Sequence, residues 1–251
     1  MRKVFIFNST IEDGIMLNKS KVFPGLSQDE IDNICIENQK KFLKKYNLDY
    51  SNLVLIDQKD SSNVHDENHQ YPDGYCIKLH NPTKKPQYTD MVMIDKDSNI
   101  ILGERSGDCP IMVAYTNDLL VLCHIGATYI DRLLPQDAIK RLIEENVNPK
   151  DIKVYVSPNI HKESYVYDKY PKWAKSYVWK DAIENRDSKY YIDLDKAIEL
   201  QLLDVGILKE NIEFSNIDTN TNPNYYSHSA YVNGNKNKLG RFIVCAMFKD
   251  E

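Results

Sequence analysis

Residues 90–125 read DMVMIDKDSNIILGERSGDCPIMVAYTNDLLVLCHI, and this stretch decides the fold. It holds apolar runs at 91–94, 100–102, 111–115 and 119–125, rich in Ile, Leu, Val and Met. Each is too short for a helix and of the right length for a strand. Ser98-Asn99 and Thr116-Asn117-Asp118 supply turn chemistry between them. The spacing predicts a meander-like region of neighbouring strands.

Further strands are predicted at 3–7, 53–56, 152–156, 212–217 and 241–248. Ser27-Gln28-Asp29-Glu30 has the form of a capping box, and Ile31, Ile34, Cys35 and Phe42 follow at helical spacing. That predicts a helix over about 28–46. Pro135 opens a second helix with Ala138, Ile139, Leu142 and Ile143 on one side. Asp193 caps a third, carrying Leu194, Ala197, Ile198 and Leu202 and ending at Gly206. Strands and helices mix without strict alternation, so the fold class is α/β or α+β: a single-domain sandwich of mixed β-sheets with flanking helices over residues 1–251. Residues 57–73, 216–224 and the hairpin-like 233–238 read as loops.

The chain has 251 residues, 42% hydrophobic and 27% charged, as a globular protein does. Its net charge of −5 and lack of a long basic run argue against nucleic acid as a partner. No apolar run approaches the roughly 18 residues that cross a bilayer, so no membrane role is expected. The N-terminus lacks a secretory apolar region, and five cysteines without framework spacing suit reduced thiols. A cytoplasmic monomer acting on a small molecule is expected.

Cys109 stands just before the run 111–114, and His124 ends the run that follows. If these runs pair antiparallel, the start of one lies beside the end of the other, and thiol and imidazole approach each other. Such a pair serves either as an activated nucleophile or as two metal ligands. A third ligand would decide, because catalytic zinc takes three protein ligands and leaves a position open. His65, in the polar 57–73 stretch, is the candidate and His69 its rival; spacing does not choose. A buried inert thiol and a hydrogen-bonded structural histidine are the commoner roles of such residues taken singly.

At these residues the sequence resembles the YfiH-like family, also called polyphenol oxidases, laccase-domain proteins or peptidoglycan editing factors. Its members carry, in order, a Q-V-H-like, an A-D-C-x-P and an H-A-G-W-R-G segment. The counterparts are Asn63-Val64-His65, Gly107-Asp108-Cys109-Pro110 and His124-Ile125-Gly126-Ala127. Glu37-Asn38, Thr89-Asp90, Ser157-Pro158-Asn159-Ile160 with Tyr165, Asp193-Leu194, Tyr226-Ser227 and Gly240-Arg241 resemble further family segments, so the likeness runs over most of the chain.

The resemblance implies zinc on His65, Cys109 and His124, with Cys109 and His124 catalytic, and action on purine nucleosides by phosphorolysis and by deamination of adenosine. It implies substrate contacts from Asp108, Ser227 and Arg241. Copper binding in vitro is expected from the ligand affinity order. The chain also departs from the pattern. Ala127-Thr128 replaces the family's Trp-Arg, Ser227-His228-Ser229-Ala230 replaces S-Y-R-R, Asp218 precedes Thr219 where the family has Cys, and Ser157 replaces Gly. Arg241 and Arg132 are the surviving basic candidates, and His228 is a candidate replacement donor. Two other readings stay open: a metal-independent Cys-His hydrolase or amidase, suggested by the fold's similarity to a deamidating toxin domain, and a non-catalytic ligand-binding member.

Overall fold

The computed structural model describes residues 2–17, 19–57, 76–83 and 87–250. Along the chain run β1 (Arg2–Asn8), α1 (Gln28–Lys44), β2 (Leu53–Asp57), β3 (Cys76–Leu79), β4 (Gln87–Tyr88), β5 (Met91–Asp95), β6 (Ile101–Ser106), β7 (Ile111–Tyr115) and β8 (Leu119–His124). There follow α2 (Ala127–Asp131), α3 (Leu134–Glu144), β9 (Lys153–Val156), β10 (Val166–Tyr167), α4 (Trp179–Ala182), β11 (Ile183–Arg186), β12 (Lys189–Ile192), α5 (Leu194–Asp204), β13 (Ile212–Phe214), α6 (His228–Val232) and β14 (Phe242–Asp250).

Two mixed sheets face each other. One has the order β1-β14-β6-β2-β4 and the other β13-β9-β7-β8-β5-β3; a small β10-β12-β11 sheet lies apart from them. Side chains alternate between the faces of a strand, and this sorts the core into layers. Val54 and Ile56 of β2, Leu102 of β6 and Val244 of β14 pack against Val92, Val113, Leu120 and Leu122 of the other sheet. The intervening residues face outward. Ile101, Ile243 and Cys245 pack under Phe42 and Leu43 of α1, while Met112, Ala114, Val121 and Cys123 pack under α3 and α5. The result is four layers: helix, sheet, sheet, helices.

Local chemistry explains the helix ends. Ser27 and Glu30 close the capping box on α1, with the Ser27 amide donating to Glu30 Oε2 at 2.8 Å. The Lys196 amide donates to Asp193 Oδ1 at 2.9 Å, which caps α5, and Gly206, with φ +89°, terminates the turn beyond it. Among the described residues no helix is long and apolar enough to cross a membrane.

The strand-rich stretch is not one meander. β7 and β8 form the expected hairpin and β5 pairs with β8, but β6 sits in the facing sheet between β14 and β2. β6 is buried at every residue, so it carries no alternation to reveal which sheet it joins. It also runs past Leu102, because Glu104 and Arg105 are buried and paired: Arg105 with Asp57, and Glu104 with His124. The 233–238 segment is a turn after α6 rather than a hairpin. α2, α4 and the β10-β12-β11 sheet rest on runs too short to show a period.

Leu122 is fully buried between the sheets. Leu122→Ala is expected to cost about 2–5 kcal/mol, read as a lower urea midpoint at unchanged slope; a shift below about 1 kcal/mol would place Leu122 outside the core.

Candidate active site

Strand pairing builds the centre of the site. Ile111 is opposite His124 in the β7–β8 ladder, and the Ile125 amide donates to the Pro110 carbonyl at 2.9 Å. Carried one residue further, that register sets Cys109 against Gly126. A Cβ on Gly126 would lie 3.0 Å from Cys109 Sγ and 3.9 Å from His124 Nε2. Sulfur and imidazole therefore share the space a side chain at 126 would fill. Cys109, Ile111 and His124 fall on the same sheet face by the two-residue period, the face that looks into the sandwich.

The other sheet supplies the third member. Glu104 follows Leu102 on the inner face of β6, and its Oε1 meets His124 Nδ1 at 3.4 Å. The Arg105 amide also donates to this oxygen at 3.0 Å. Glu104 Oε2 is buried with no hydrogen-bond partner among the described residues. Burial works against a charge on His124, but the Cys109 sulfur and the Glu104 carboxylate outweigh it and push the imidazole up to about 10.

Asp108, beside Cys109, adopts φ +114°. A non-glycine residue there costs about 1–3 kcal/mol and needs its surroundings to hold it. They do. Oδ1 accepts from Thr219 Oγ1 at 2.7 Å and Oδ2 from the Ser229 amide at 2.6 Å, while the Asp108 carbonyl accepts from the Ile160 amide at 2.9 Å. Ser106 Oγ donates to the Cys109 carbonyl. Burial pushes the Asp108 carboxyl up, against the hydrogen bonds that favour its charged form.

These residues border a cavity of about 390 Å³ whose lining includes Asp108, Cys109, His124, Tyr165, Tyr167, His228 and Arg241. Apolar surface comes from Ala127, Ile160, Leu194 and Val232. Tyr165 and Tyr167 touch through their hydroxyls at 3.1 Å, and burial raises Tyr165 well above its ordinary value.

The structure thus brings together Cys109, His124, Asp108, Arg241 and His228. It does not bring Ser227 or Arg132 to the cavity lining. Ser227 is buried, and its hydroxyl accepts from the Ala230 amide at 3.0 Å as the cap of α6; Arg132 is exposed at the end of α2. His65 and His69 lie outside the described residues. Among those residues no three His, Cys, Asp or Glu side chains are grouped to hold a metal ion. Cys109 and His124 nevertheless suit zinc as a partial donor set: a sulfur beside an imidazole whose other nitrogen rests on a buried carboxylate. Sequence reasoning missed Glu104 because its partner comes from the facing sheet. Because β6 is buried at every residue, no alternation in the sequence marks Glu104 as facing His124.

This architecture and site define a class, and the sequence falls within it: the chain belongs to the multi-copper polyphenol oxidoreductase laccase family, whose model matches residues 24–249. It is 25% identical over 227 residues to the purine nucleoside phosphorylase YlmD of Bacillus subtilis (strain 168), covering 87% of this chain and 79% of that one. Its fold is similar to that of the hypothetical protein YfiH of Bacillus licheniformis, with a TM-score of 0.73, 18% identity and coverage of 98% and 93% of the two chains. YlmD of Geobacillus stearothermophilus gives a TM-score of 0.66 at 17% identity over 87% and 81%.

Gly126 has an ordinary φ of −60°, so Gly126→Ala meets no backbone penalty and acts only through its Cβ. The variant is expected to melt close to the parent but to slow iodoacetamide labelling of Cys109 several-fold, because the sulfur must move aside; equal labelling rates by mass spectrometry would remove Cys109 from this position.

Behind the cavity wall, Asn159 Nδ2 donates to Asp195 Oδ1 at 3.0 Å. Burial nonetheless holds the Asp195 carboxyl up at about 6, against the Asn159 bond and nearby His161 and with Asp193 reinforcing it. The folded chain then binds this proton more tightly than the unfolded one. Stability is present below the ordinary value of 3.8 and is lost as pH rises through about 6. Asp195→Asn is therefore expected to gain on the parent between pH 4 and 7, with an upper bound of about 3 kcal/mol. A constant difference across that range in urea unfolding would contradict this.

Proposed function

We propose that the chain is a zinc enzyme that acts on purine nucleosides, cleaving the base from the ribose with phosphate and deaminating adenosine. The observation that carries this is the Cys109–His124 pair opening onto a cavity of about 390 Å³, in a chain similar to a protein named a purine nucleoside phosphorylase. Cys109, His124 and, as the third ligand, His65 hold the metal in this reading. Zinc there supplies Lewis acidity and, for deamination, a water acidic enough to act near neutral pH.

The chain's own residues do the rest. Tyr165, Tyr167, Ile160 and Leu194 give the cavity flat and apolar surface suited to a purine ring. Glu104 fixes the His124 ring through Nδ1 and leaves Nε2 toward Cys109. Asp108 accepts from Thr219 and Ser229, one bond on each carboxylate oxygen. It holds the turn that presents Cys109.

One observation favours a second reading. A buried carboxylate, an imidazole pushed up to about 10 and a thiol at its side also make the relay of a cysteine nucleophile. In that case Cys109 attacks a carbonyl and His124 serves as acid and base without metal.

Purified protein is expected to carry stoichiometric zinc that Cys109→Ala loses. It is expected to release base from inosine and adenosine in phosphate buffer, and His124→Ala to abolish this. Metal-free protein alkylated selectively at Cys109 would favour the second reading. Zinc-loaded protein that yields neither base nor ammonia across a broad nucleoside screen would overturn the first.

A further inference from the structure

One lysine gathers the carbonyls behind the cavity. Residues 215–227, between β13 and α6, lie outside the helices and strands, so no helix turn or sheet ladder supplies donors for their carbonyls. Lys236 Nζ donates to three of these, Thr219, Asn222 and Tyr225, at 2.7 Å each. That uses every proton of the ammonium. Among the described residues no other donor reaches the Thr219 or Tyr225 carbonyl.

The partners are unusual for a lysine. Burial pushes the Lys236 ammonium down from its ordinary value, and nearby Asp108 and Asp218 act against that push. Yet neither carboxylate takes one of its protons. Asp108 accepts from Thr219 and Ser229 instead, and Asp218 from the His161 and Asn220 amides and the Ser164 and Thr221 hydroxyls. A positive charge ringed by carbonyl oxygens is the shell that replaces water around a potassium ion in a selectivity filter.

The contacts also close a ring around the Cys109 turn. The Lys236 and Asn235 amides donate to the Ala230 carbonyl at 3.1 and 2.8 Å, which ties the lysine to α6. Thr219 Oγ1 holds Asp108 Oδ1, and the Ser229 amide of α6 holds Oδ2. Lys236 therefore bridges the two segments that grip one carboxylate, and that carboxylate steadies the backbone at φ +114° beside Cys109.

We propose that the carbonyls of Thr219, Asn222 and Tyr225 form a monovalent-cation cage that Lys236 fills with its own ammonium, and that Lys236 is thereby a positioning residue for Cys109. The cage and its hold on the turn stand on these contacts alone; the effect on turnover rests on the nucleoside reading above.

Lys236→Ala empties the cage, while Lys236→Met removes the charge and leaves a side chain in the space. In both, amide exchange over residues 219–229, read by mass spectrometry, is expected to speed up about tenfold, and iodoacetamide labelling of Cys109 several-fold. Potassium or ammonium chloride is expected to restore both readings in Lys236→Ala but not in Lys236→Met, whose side chain blocks the cage. Tetramethylammonium chloride, its cation too large to enter, restores neither variant. With inosine as substrate, kcat is expected to fall in Lys236→Ala and return with potassium, while KM changes less than about twofold. Parent-like exchange and labelling in folded Lys236→Ala overturn the proposal. So does recovery with tetramethylammonium, which is a general effect of salt, and so does failure of both potassium and ammonium to restore the variant. Exchange and labelling that respond to potassium in a protein that cleaves no nucleoside uphold the cage and remove the nucleoside reading. Where neither variant folds, the parent decides. Acetic anhydride is expected to modify Lys236 about tenfold more slowly than exposed Lys238, because bonds to three carbonyls must break first; equal rates overturn the cage.

Discussion

One antiparallel register holds the site in place. Because Ile111 is opposite His124, the chain entering β7 and the chain leaving β8 run side by side, so Cys109, which precedes the ladder, lies against Gly126, which follows it. No side chain at 126 intrudes, and the sulfur takes that volume beside the imidazole. A slip of one residue would turn every inward residue of β8 outward, exchanging Leu120, Leu122 and His124 for Val121 and Cys123. The register is held by the burial of both faces: Leu122 is fully buried between the sheets, and Val121 under the helices. The chemistry of the pair is thus fixed by the same apolar packing that makes the sandwich.

The second constraint is electrostatic and runs across the layers. Glu104 comes from one sheet and His124 from the other, so the carboxylate that orients the imidazole exists only when the sandwich closes. One oxygen of this buried carboxylate has no partner among the described residues, and an unmet acceptor is costly in a low-dielectric interior. The neighbouring Asp108 turn, with its left-handed backbone, adds a further cost that Thr219, Ser229 and Ile160 offset through three hydrogen bonds. Strain and buried charge gather at one end of the sheets, where an otherwise regular fold departs from the cheapest local choices.

What could be read beforehand follows the same division. Residues 111–115 and 119–125 read as neighbouring strands by length and turn chemistry, and the nearness of Cys109 and His124 depended on their pairing antiparallel, which they do over Ile111–Tyr115 and Leu120–His124. The caps at Ser27 and Asp193 were equally legible, since they are local hydrogen bonds written in adjacent residues. The sheet that β6 joins was not, because a strand buried on both faces shows no alternation. Glu104 escaped for the related reason that its partner lies across the layers. The role of Ser227 was not legible because a capping hydroxyl and a substrate-binding hydroxyl look alike in sequence; its burial and its bond from the Ala230 amide are seen only in the fold.

The cavity is built by two kinds of structure. Cys109 and His124 sit at the ends of paired strands, while His228 and Asn233 come from a short helix and the turn after it, and Arg241 immediately precedes β14. That second wall is tied down from one point. Lys236 Nζ donates to the carbonyls of Thr219, Asn222 and Tyr225 at 2.7 Å each, using all three of its protons. Thr219 in turn holds Asp108, and the Asp108 turn presents Cys109. An ammonium group thus links the segment that carries the polar wall to the turn that carries the sulfur. The wall and the β7–β8 ladder share no strand pairing, so side chains on the wall stand outside the register that places Cys109 and His124. Sheet pairing thus holds the Cys109–His124 pair, and a lysine clamp holds the polar wall beside it, so the two sides of the cavity rest on separate supports.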